Sequence, residues 1–438
     1  VPSNASHHLP LEGIRVADLS LVLAGTSACT LLSDWGAEVI RLEPLQNFQP
    51  NTRGRLARPS QAYLDAAHVW VNAYPDFKPG RRPWNRWPFF QVHARNKLSM
   101  TLDMKSPEGL AILKRIVAVS DIVIENNVPE TLNKLGISYP VLRKVKPDLI
   151  MVRMPGYGLT GPYANYRSLG SHLEGTAGHT YIRGYADSDP TTVEDIYFGD
   201  AAAGVTACFA AMAALHELRR TGKGQLIELA QVETVVSYFS DLLLDYQMNR
   251  RVAKPGGNDL APFAPHNTYQ CSGDDRWVAI AVSNDKEWQG LVKAMGNPEW
   301  ASDAKFSTQA GRFKRRRELD QRITQWTRQH ENQWAMARLQ SFGVPAGVLN
   351  DERDAYADPH LNARGFFETL THPDTGTHRY PGIVWKMVKT PNKIRTPPPM
   401  LGEHNKYAYA ELLGVPPEEY KRLEAAGHIG DEYPPHVA

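Results

Sequence analysis

Short apolar runs alternate with amphipathic stretches through the first third of the chain. Residues 14–19, 38–42, 98–102, 122–124 and 149–152 are β-prone and only long enough for strands. Between them, helical spacing takes over. Cys29, Leu31, Leu32 and Trp35 share a helical repeat that stops at Gly36, a residue suited to end a helix. Ser106-Pro107-Glu108 reads as a helix start, with a capping hydroxyl, a proline at the first turn and an acid favoured by the dipole. Residues 140–145 predict a further helix. Strand–helix–strand repetition predicts an α/β fold: a mainly parallel, Rossmann-like sheet with helices on both faces. Ligands of such sheets bind beyond the carboxyl ends of the strands.

The rhythm stops between residues 46 and 91, which hold Pro50, Pro59, Pro75, Pro79, Pro83 and Pro88. Trp70, Tyr74, Phe77, Trp84, Trp87, Phe89 and Phe90 lie in the same stretch, too aromatic for disorder. Such an insertion either walls a substrate site or covers a subunit interface, and the interface is the reading placed first. After Gln225 come a β-prone run, 226–229, and a helical stretch, 232–248. A Pro/Gly link at 254–258 precedes a second unit of strand and Trp- and Arg-rich helices. The expected organisation is a large domain over 1–225 completed by 365–438, linkers at 226–264 and 356–364, and a smaller α+β domain over 265–355.

The chain has 438 residues, 42% hydrophobic and 22% charged, with a formal net charge of +2. Two domains with large cores fit this length. The near-neutral balance gives no footprint for nucleic acid. Cys29, Cys208 and Cys271 have no CxxC spacing and read as packed thiols in a reducing cytoplasm. Residues 1–10 carry no apolar stretch and predict no signal peptide. The apolar runs read as too short to span a membrane.

Candidate chemistry narrows by elimination. The 15 histidines form no HExxH or close pair, so no metal site is expected. The turn after the first strand is Leu21-Val22-Leu23-Ala24-Gly25, not a dinucleotide fingerprint. Neither a P-loop nor a GxSxG elbow occurs. One carboxylate stands out. Asp200 follows Tyr197-Phe198-Gly199 and precedes a nearly uncharged helix through Leu218, whose start is placed at Ala201. Free N–H groups and partial positive charge at a helix start favour an ionised, oriented carboxylate, which is what a nucleophile requires. The same placement suits an ordinary N-cap, the favoured reading of this segment alone.

The motifs reverse that preference. Residues 10–20 (PLEGIRVADLS), 36–44 (GAEVIRLEP), 96–103 (NKLSMTLD), 121–126 (DIVIEN), 156–162 (GYGLTGP) and 399–404 (PMLGEH) occur in an order that resembles the class III CoA-transferases. That group contains the formyl-CoA:oxalate and crotonobetainyl-CoA:carnitine transferases, and the match is collinear over nearly the whole chain. The resemblance implies CoA transfer from an acyl-CoA to a carboxylic acid, with CoA and acyl-CoA as substrates and no tightly bound cofactor. It places the nucleophile on Asp200, which forms first an acyl anhydride and then an aspartyl-CoA thioester. Gly199 and Ala201 are implied as backbone donors to the oxyanions. Val22, Leu23, Ala24, Leu102, Met104, Lys105, Asn126, Asn127, Lys134 and Arg167 are implied to bind CoA. It also implies an interlocked homodimer, or a heteromer with a related subunit.

Departures from the family pattern define the open points. A position 30 residues before the nucleophile, polar or acidic in relatives, is Gly170, with Leu169 before it. The His-Asp pair of family racemases is thus missing, although His172 lies nearby. The tetraglycine loop of the oxalate enzyme is Leu260-Ala261-Pro262-Phe263. A Gln of its first CoA loop is Leu23, and an aromatic of its Arg-Gly segment is Arg55. Arg55 suits a second carboxylate on the substrate, or is a surface charge. The alternatives to a transferase are an acyl-CoA racemase or epimerase, and a non-catalytic subunit of a heteromeric transferase.

Overall fold

A computed structural model describes residues 8–67, 72–189, 191 and 197–437. Trp70 and Ile196 lie outside the described residues. The described residues fall into two compact units, one within Val1–His179, Asp195–Leu244 and Ala363–Ala438, the other within Thr180–Glu194 and Asp245–Asn362.

The first unit is built on six parallel strands: β1 (Arg15–Asp18), β2 (Glu38–Glu43), β3 (Lys97–Thr101), β4 (Ile122–Glu125), β5 (Ile150–Arg153) and β6 (Leu226–Glu228). Their order is β3-β2-β1-β4-β5-β6. Successive strands therefore reverse direction of travel across the sheet between β1 and β4, the switch point where doubly wound sheets bind ligands. Helix α1 (Ala24–Asp34) follows β1, and α2 (Gln61–Ala66) and α3 (Pro88–His93) lie in the aromatic insertion. Next come α4 (Pro107–Ala118), α5 (Pro129–Leu135), α6 (Tyr139–Val145), α7 (Gly170–Ala177), α8 (Phe198–Thr221) and α9 (Gln231–Ser237). The start of α4 is the one its sequence encodes: Ser106 Oγ accepts the Gly109 N–H at 2.9 Å.

Apolar side chains cover both faces of the sheet. Ile112, Leu113, Ile116 and Val117 of α4 pack with Leu132 and Leu142 on one face. Ala28, Cys29 and Leu32 of α1 pack with Ala203, Ala207 and Ala211 of α8 on the other. The alanines recur at helical spacing, which lets α1 and α8 approach closely. Gly204 extends that contact, since a Cβ there would meet Ser27 Cβ at 2.7 Å. This packing accounts for the composition of α8, and it corrects the expectation of no membrane-length apolar run. The 24 residues of α8 are long and apolar enough to cross a bilayer, but half of its apolar stretch is buried inside the protein.

Segment limits differ from the sequence expectation at 226–264. Residues Leu226–Glu228 pair with β5 instead of linking domains, through Met151 opposite Leu226 and Arg153 opposite Glu228. The first unit therefore runs on to Leu244, while 245–264 and 356–362 belong to the second unit, as do described residues between 180 and 191. The second unit contains an antiparallel sheet of β7 (His266–Gln270), β8 (Trp277–Ala281) and β9 (Ala346–Leu349). Its core gathers Tyr269, Val278, Ile280, Trp288, Leu291, Leu319 and Leu339. In the first unit a hairpin, β10 (Phe367–His372) with β11 (Gly376–Pro381), and the C-terminal segment complete the structure.

Candidate active site

The loop after β1 crosses the switch point and is pinned from the β4 side. Asn126 Oδ1 accepts the Leu21 N–H at 2.7 Å, and its Nδ2 donates to the Leu21 carbonyl at 2.8 Å. Val22 then donates its N–H to Thr52 Oγ1 at 3.0 Å. Its φ is +58°, a left-handed conformation costly for a β-branched residue. Tyr197, just before α8, also has a positive φ, +52°. Both residues line the same cavity, as does Asn51, whose φ is +64°.

That inner cavity encloses about 230 Å³ and is lined by Val22, Leu23, Asn51, Arg55, Trp87, Phe89, Leu169, Gly170, Ser171, Tyr197 and Asp200. The aromatic insertion thus supplies one wall, with Trp87 and Phe89 stacked at 5.0 Å and Phe89 edge-on to Tyr197 at 5.9 Å. Other aromatics of the insertion, Tyr74, Trp84 and Phe90, are buried in the fold. Arg55 lines the cavity and is half-buried.

Two further cavities extend outward from Asp200. A middle one of about 320 Å³ shares Val22, Leu169, Gly170 and Asp200 with the inner cavity, and adds Asn126, Asn127, Tyr166, Arg167 and Gln231. An outer one of about 360 Å³ shares Asn127, Val128, Thr131 and Arg167 with the middle cavity. It adds Met104, Lys105 and Lys134. The three form one run from a basic outer end to an aromatic inner end, and Asp200 stands where the inner and middle parts join.

The turn that carries Asp200 differs from the sequence expectation. Helix α8 begins at Phe198, not Ala201, and its N-cap is Tyr197, which makes no side-chain cap. Asp200 is therefore not a cap but the third residue of the helix, with 7% exposure. Gly199 and Ala201 do not offer open N–H groups to an oxyanion. The Gly199 N–H donates to Glu174 Oε1 at 3.2 Å, and that of Ala201 to the Tyr197 carbonyl at 3.2 Å. Ser171 and Asn51 bring side-chain donors to the inner cavity.

Most other residues named from the sequence come together. Val22, Leu23, Met104, Lys105, Asn126, Asn127, Lys134 and Arg167 line the run of cavities. Ala24 and Leu102 do not, because their side chains are fully buried in the two sheet-face cores. Asn126 spends its amide on the Leu21 backbone and so shapes the loop. Asn127 is held by Glu125, whose Oε2 accepts the Asn127 N–H at 2.7 Å. Burial pushes the Glu125 carboxyl up, and Arg153 at 2.6 Å opposes that shift. His172 accepts the Leu169 N–H on Nδ1 at 3.0 Å and is not among the inner-cavity residues.

Beneath the loops, the carboxyl ends of β1 and β2 carry a buried charge network. Arg53 Nε meets Glu43 Oε1 at 2.6 Å, Arg41 meets Glu43 at 3.0 Å and Asp18 at 3.5 Å, and Lys97 meets Asp18 at 3.4 Å. Burial raises the Glu43 carboxyl, but Arg53 and Arg41 outweigh it and hold the group at about 2. Burial pushes the Lys97 ammonium down, with Asp18 partly restoring it. The sequence reading passed over this network and over Glu174. The spacing of Glu174 four residues after Gly170 is the one local sign of it.

At the carboxyl ends of a Rossmann-like sheet, a run of cavities thus leads from the basic side chains of Lys105, Lys134 and Arg167 to the buried carboxylate of Asp200. Comparison with known proteins gives the class. The model of CoA-transferase family III matches residues 11–405, and the chain belongs to that family. It is 34% identical to succinyl-CoA–D-citramalate CoA-transferase of Chloroflexus aurantiacus over 95% of this chain and 97% of that one. It is 32% identical to the beta subunit of succinyl-CoA–L-malate CoA-transferase from the same organism, again over 95% and 97%. Among solved structures, a CAIB/BAIF family protein from Brucella suis superposes with a TM-score of 0.81 at 29% identity, over 92% of this chain and all of that one. The protein is an enzyme of the CoA-transferase class, and enzymes of this class act on CoA thioesters.

Proposed function

We propose that this enzyme moves CoA from a dicarboxylyl-CoA, with succinyl-CoA as the first candidate, to a second dicarboxylic acid, through covalent intermediates on Asp200. The observation that carries the reading is the position of Asp200 at the junction of the aromatic cavity holding Arg55 and the channel holding Arg167. CoA lies along the channel with its phosphates toward Arg167, Lys134 and Lys105, and its thioester at Asp200. A guanidinium binds a carboxylate through two parallel hydrogen bonds, so Arg55 receives the distal carboxylate of the acyl group. Both named relatives use succinyl-CoA and a dicarboxylic partner acid.

The chemistry follows from a nearly dehydrated carboxylate facing a thioester. Asp200 attacks the thioester carbonyl, forming a mixed anhydride and expelling CoA thiolate. The thiolate attacks the Asp200 acyl carbon, giving aspartyl-CoA and releasing the first acid as its carboxylate. The acceptor carboxylate attacks that thioester and expels CoA thiolate again. The thiolate then attacks the acceptor's acyl carbon, yielding the new acyl-CoA and restoring Asp200. Racemase chemistry needs a second acid or base across the substrate, and Gly170 provides no side chain for it.

The test is catalytic efficiency with succinyl-CoA against matched dicarboxylic and monocarboxylic acceptors, in the parent and in Arg55→Gln. The parent favours the diacid, and the variant loses mainly that preference. Equal losses for both acids contradict the role of Arg55.

A second reading concerns assembly. The exposed face of α8 carries Val205, Phe209 and Met212, with Phe209 at 73% exposure. Apolar faces of this kind mark subunit contacts, and the chain is proposed to dimerise there. The relative that is a beta subunit supports pairing with an unlike chain. Transfer activity of the purified chain alone, with its mass in solution, separates a homodimer from a heteromer.

A further inference from the structure

Helix α8 starts without a cap of its own. Its first N–H groups have no acceptor within the helix, and the Tyr197 side chain does not cap them. The acceptor comes instead from a different helix, 25 residues upstream in sequence. Glu174 of α7 accepts the Gly199 N–H on Oε1 at 3.2 Å, directly beside the nucleophile.

Glu174 is 1% exposed. A lone carboxylate at that depth is strongly unfavourable, so its partners matter. The positive end of α8 faces one oxygen. His179 Nδ1 stands 2.8 Å from the other. The His179 ring is itself held, 5.3 Å from the Phe198 ring and 6.2 Å from Phe239.

Residues four apart lie on one face of a helix. On α7 those residues are Gly170 and Glu174. A Cβ at Gly170 would lie 1.9 Å from Asp200 Oδ2. The same face therefore touches the nucleophile turn at two points: backbone against the Asp200 carboxylate, and a carboxylate against the backbone of Gly199.

We infer that Glu174, oriented by His179, is a positioning residue for the nucleophile: it anchors the first turn of α8 so that Asp200 meets the thioester at attack distance. The inference rests on Asp200 being the nucleophile. Glu174 does not touch the substrate cavities, and both of its oxygens have partners, so its effect passes through the backbone. Glutamine preserves an acceptor for Gly199. Aspartate withdraws it by one methylene, and alanine removes it.

The experiment is rapid-quench mass spectrometry of the intact protein mixed with succinyl-CoA, which reads the rate of CoA adduct formation in a single turnover. Calorimetry with free CoA reports the channel separately. Glu174→Gln forms the adduct within about threefold of the parental rate, while Glu174→Asp and Glu174→Ala fall by roughly tenfold or more, because small displacements of reacting groups have large effects on rate. CoA affinity stays within about twofold in all three, as expected when ground-state binding is unaltered. Should Glu174→Ala not fold, Glu174→Asp decides, since it keeps a buried charge beside His179. Parental adduct rates in Glu174→Asp overturn the inference. So does a loss in all three variants that runs in parallel with CoA affinity, which marks a merely structural role. Asp200→Asn, run alongside, isolates the underlying reading: turnover in that variant removes the nucleophile itself and not only its anchor.

Discussion

Gly170 and Asp200 meet with no space for a side chain between them, since a Cβ on residue 170 would fall 1.9 Å from Asp200 Oδ2 and 3.0 Å from its Cγ. The absence of a side chain at residue 170 is thereby a condition for the Asp200 orientation. The obstructed atoms belong to a side chain that can rotate, so Gly170→Ala folds and turns the carboxylate away. We expect CoA affinity to persist and transfer to fall on the order of a hundredfold. Turnover assays with calorimetry check this, and parental turnover contradicts it.

Arg167 borders both the middle and the outer cavity, whereas Lys134 borders only the outer one and pairs with Glu130 at 2.6 Å on an exposed helix surface. Exposed pairs of this kind contribute little and exchange readily for a phosphate. Arg167→Gln should weaken CoA binding by roughly tenfold or more, the scale of a lost charge-assisted hydrogen bond. Lys134→Gln should lose less. Both deficits should shrink at high salt, where the parent also binds more weakly. Calorimetry at two ionic strengths reads the effect, and unchanged affinity in both variants removes the phosphate role.

Glu43 is buried between Arg53 and Arg41, and Glu43→Gln leaves those cations short of a partner. Breaking such a buried pair costs about 3–5 kcal/mol. The pH dependence follows from the direction of the shift. A carboxyl held at about 2 contributes stability above its ordinary value of about 4.5 and loses it as pH falls toward 2. The stability gap between parent and Glu43→Gln is therefore full at neutral pH and closes on acidification through that window. Denaturant midpoints across pH 2–7 test it, and a gap that widens in acid refutes the assignment.

Local signals in the sequence were strongest where structure is local. The strands β1 to β5 and the Ser106 start of α4 depend on neighbours within a few residues, and their positions agree with the pattern. Channel residues such as Asn127, Lys134 and Arg167 follow strand ends, and parallel sheets bring those loops together. What escaped is non-local. The sequence places the start of α8 at Ala201 because Asp200 suits an N-cap; the helix instead starts at Phe198 with Glu174 as acceptor, and spacing alone does not reveal that α7 faces α8. The run 226–229 reads as β-prone, as the structure has it, but its place in the sheet instead of a linker depends on the distant pairing of Leu226 with Met151. Ala24 and Leu102 sit beside channel residues in sequence but face the cores, since neighbouring positions at an element's end point in different directions.

The central claim is that Asp200 carries CoA during turnover. Intact-mass analysis of the enzyme quenched during reaction with succinyl-CoA, followed by peptide mapping, tests it most directly. The account predicts an adduct with the mass of CoA less one water on the peptide containing Asp200, discharged when an acceptor acid is added and missing in Asp200→Asn. An enzyme that transfers CoA at the parental rate in Asp200→Asn, or whose adduct maps to another residue, contradicts it.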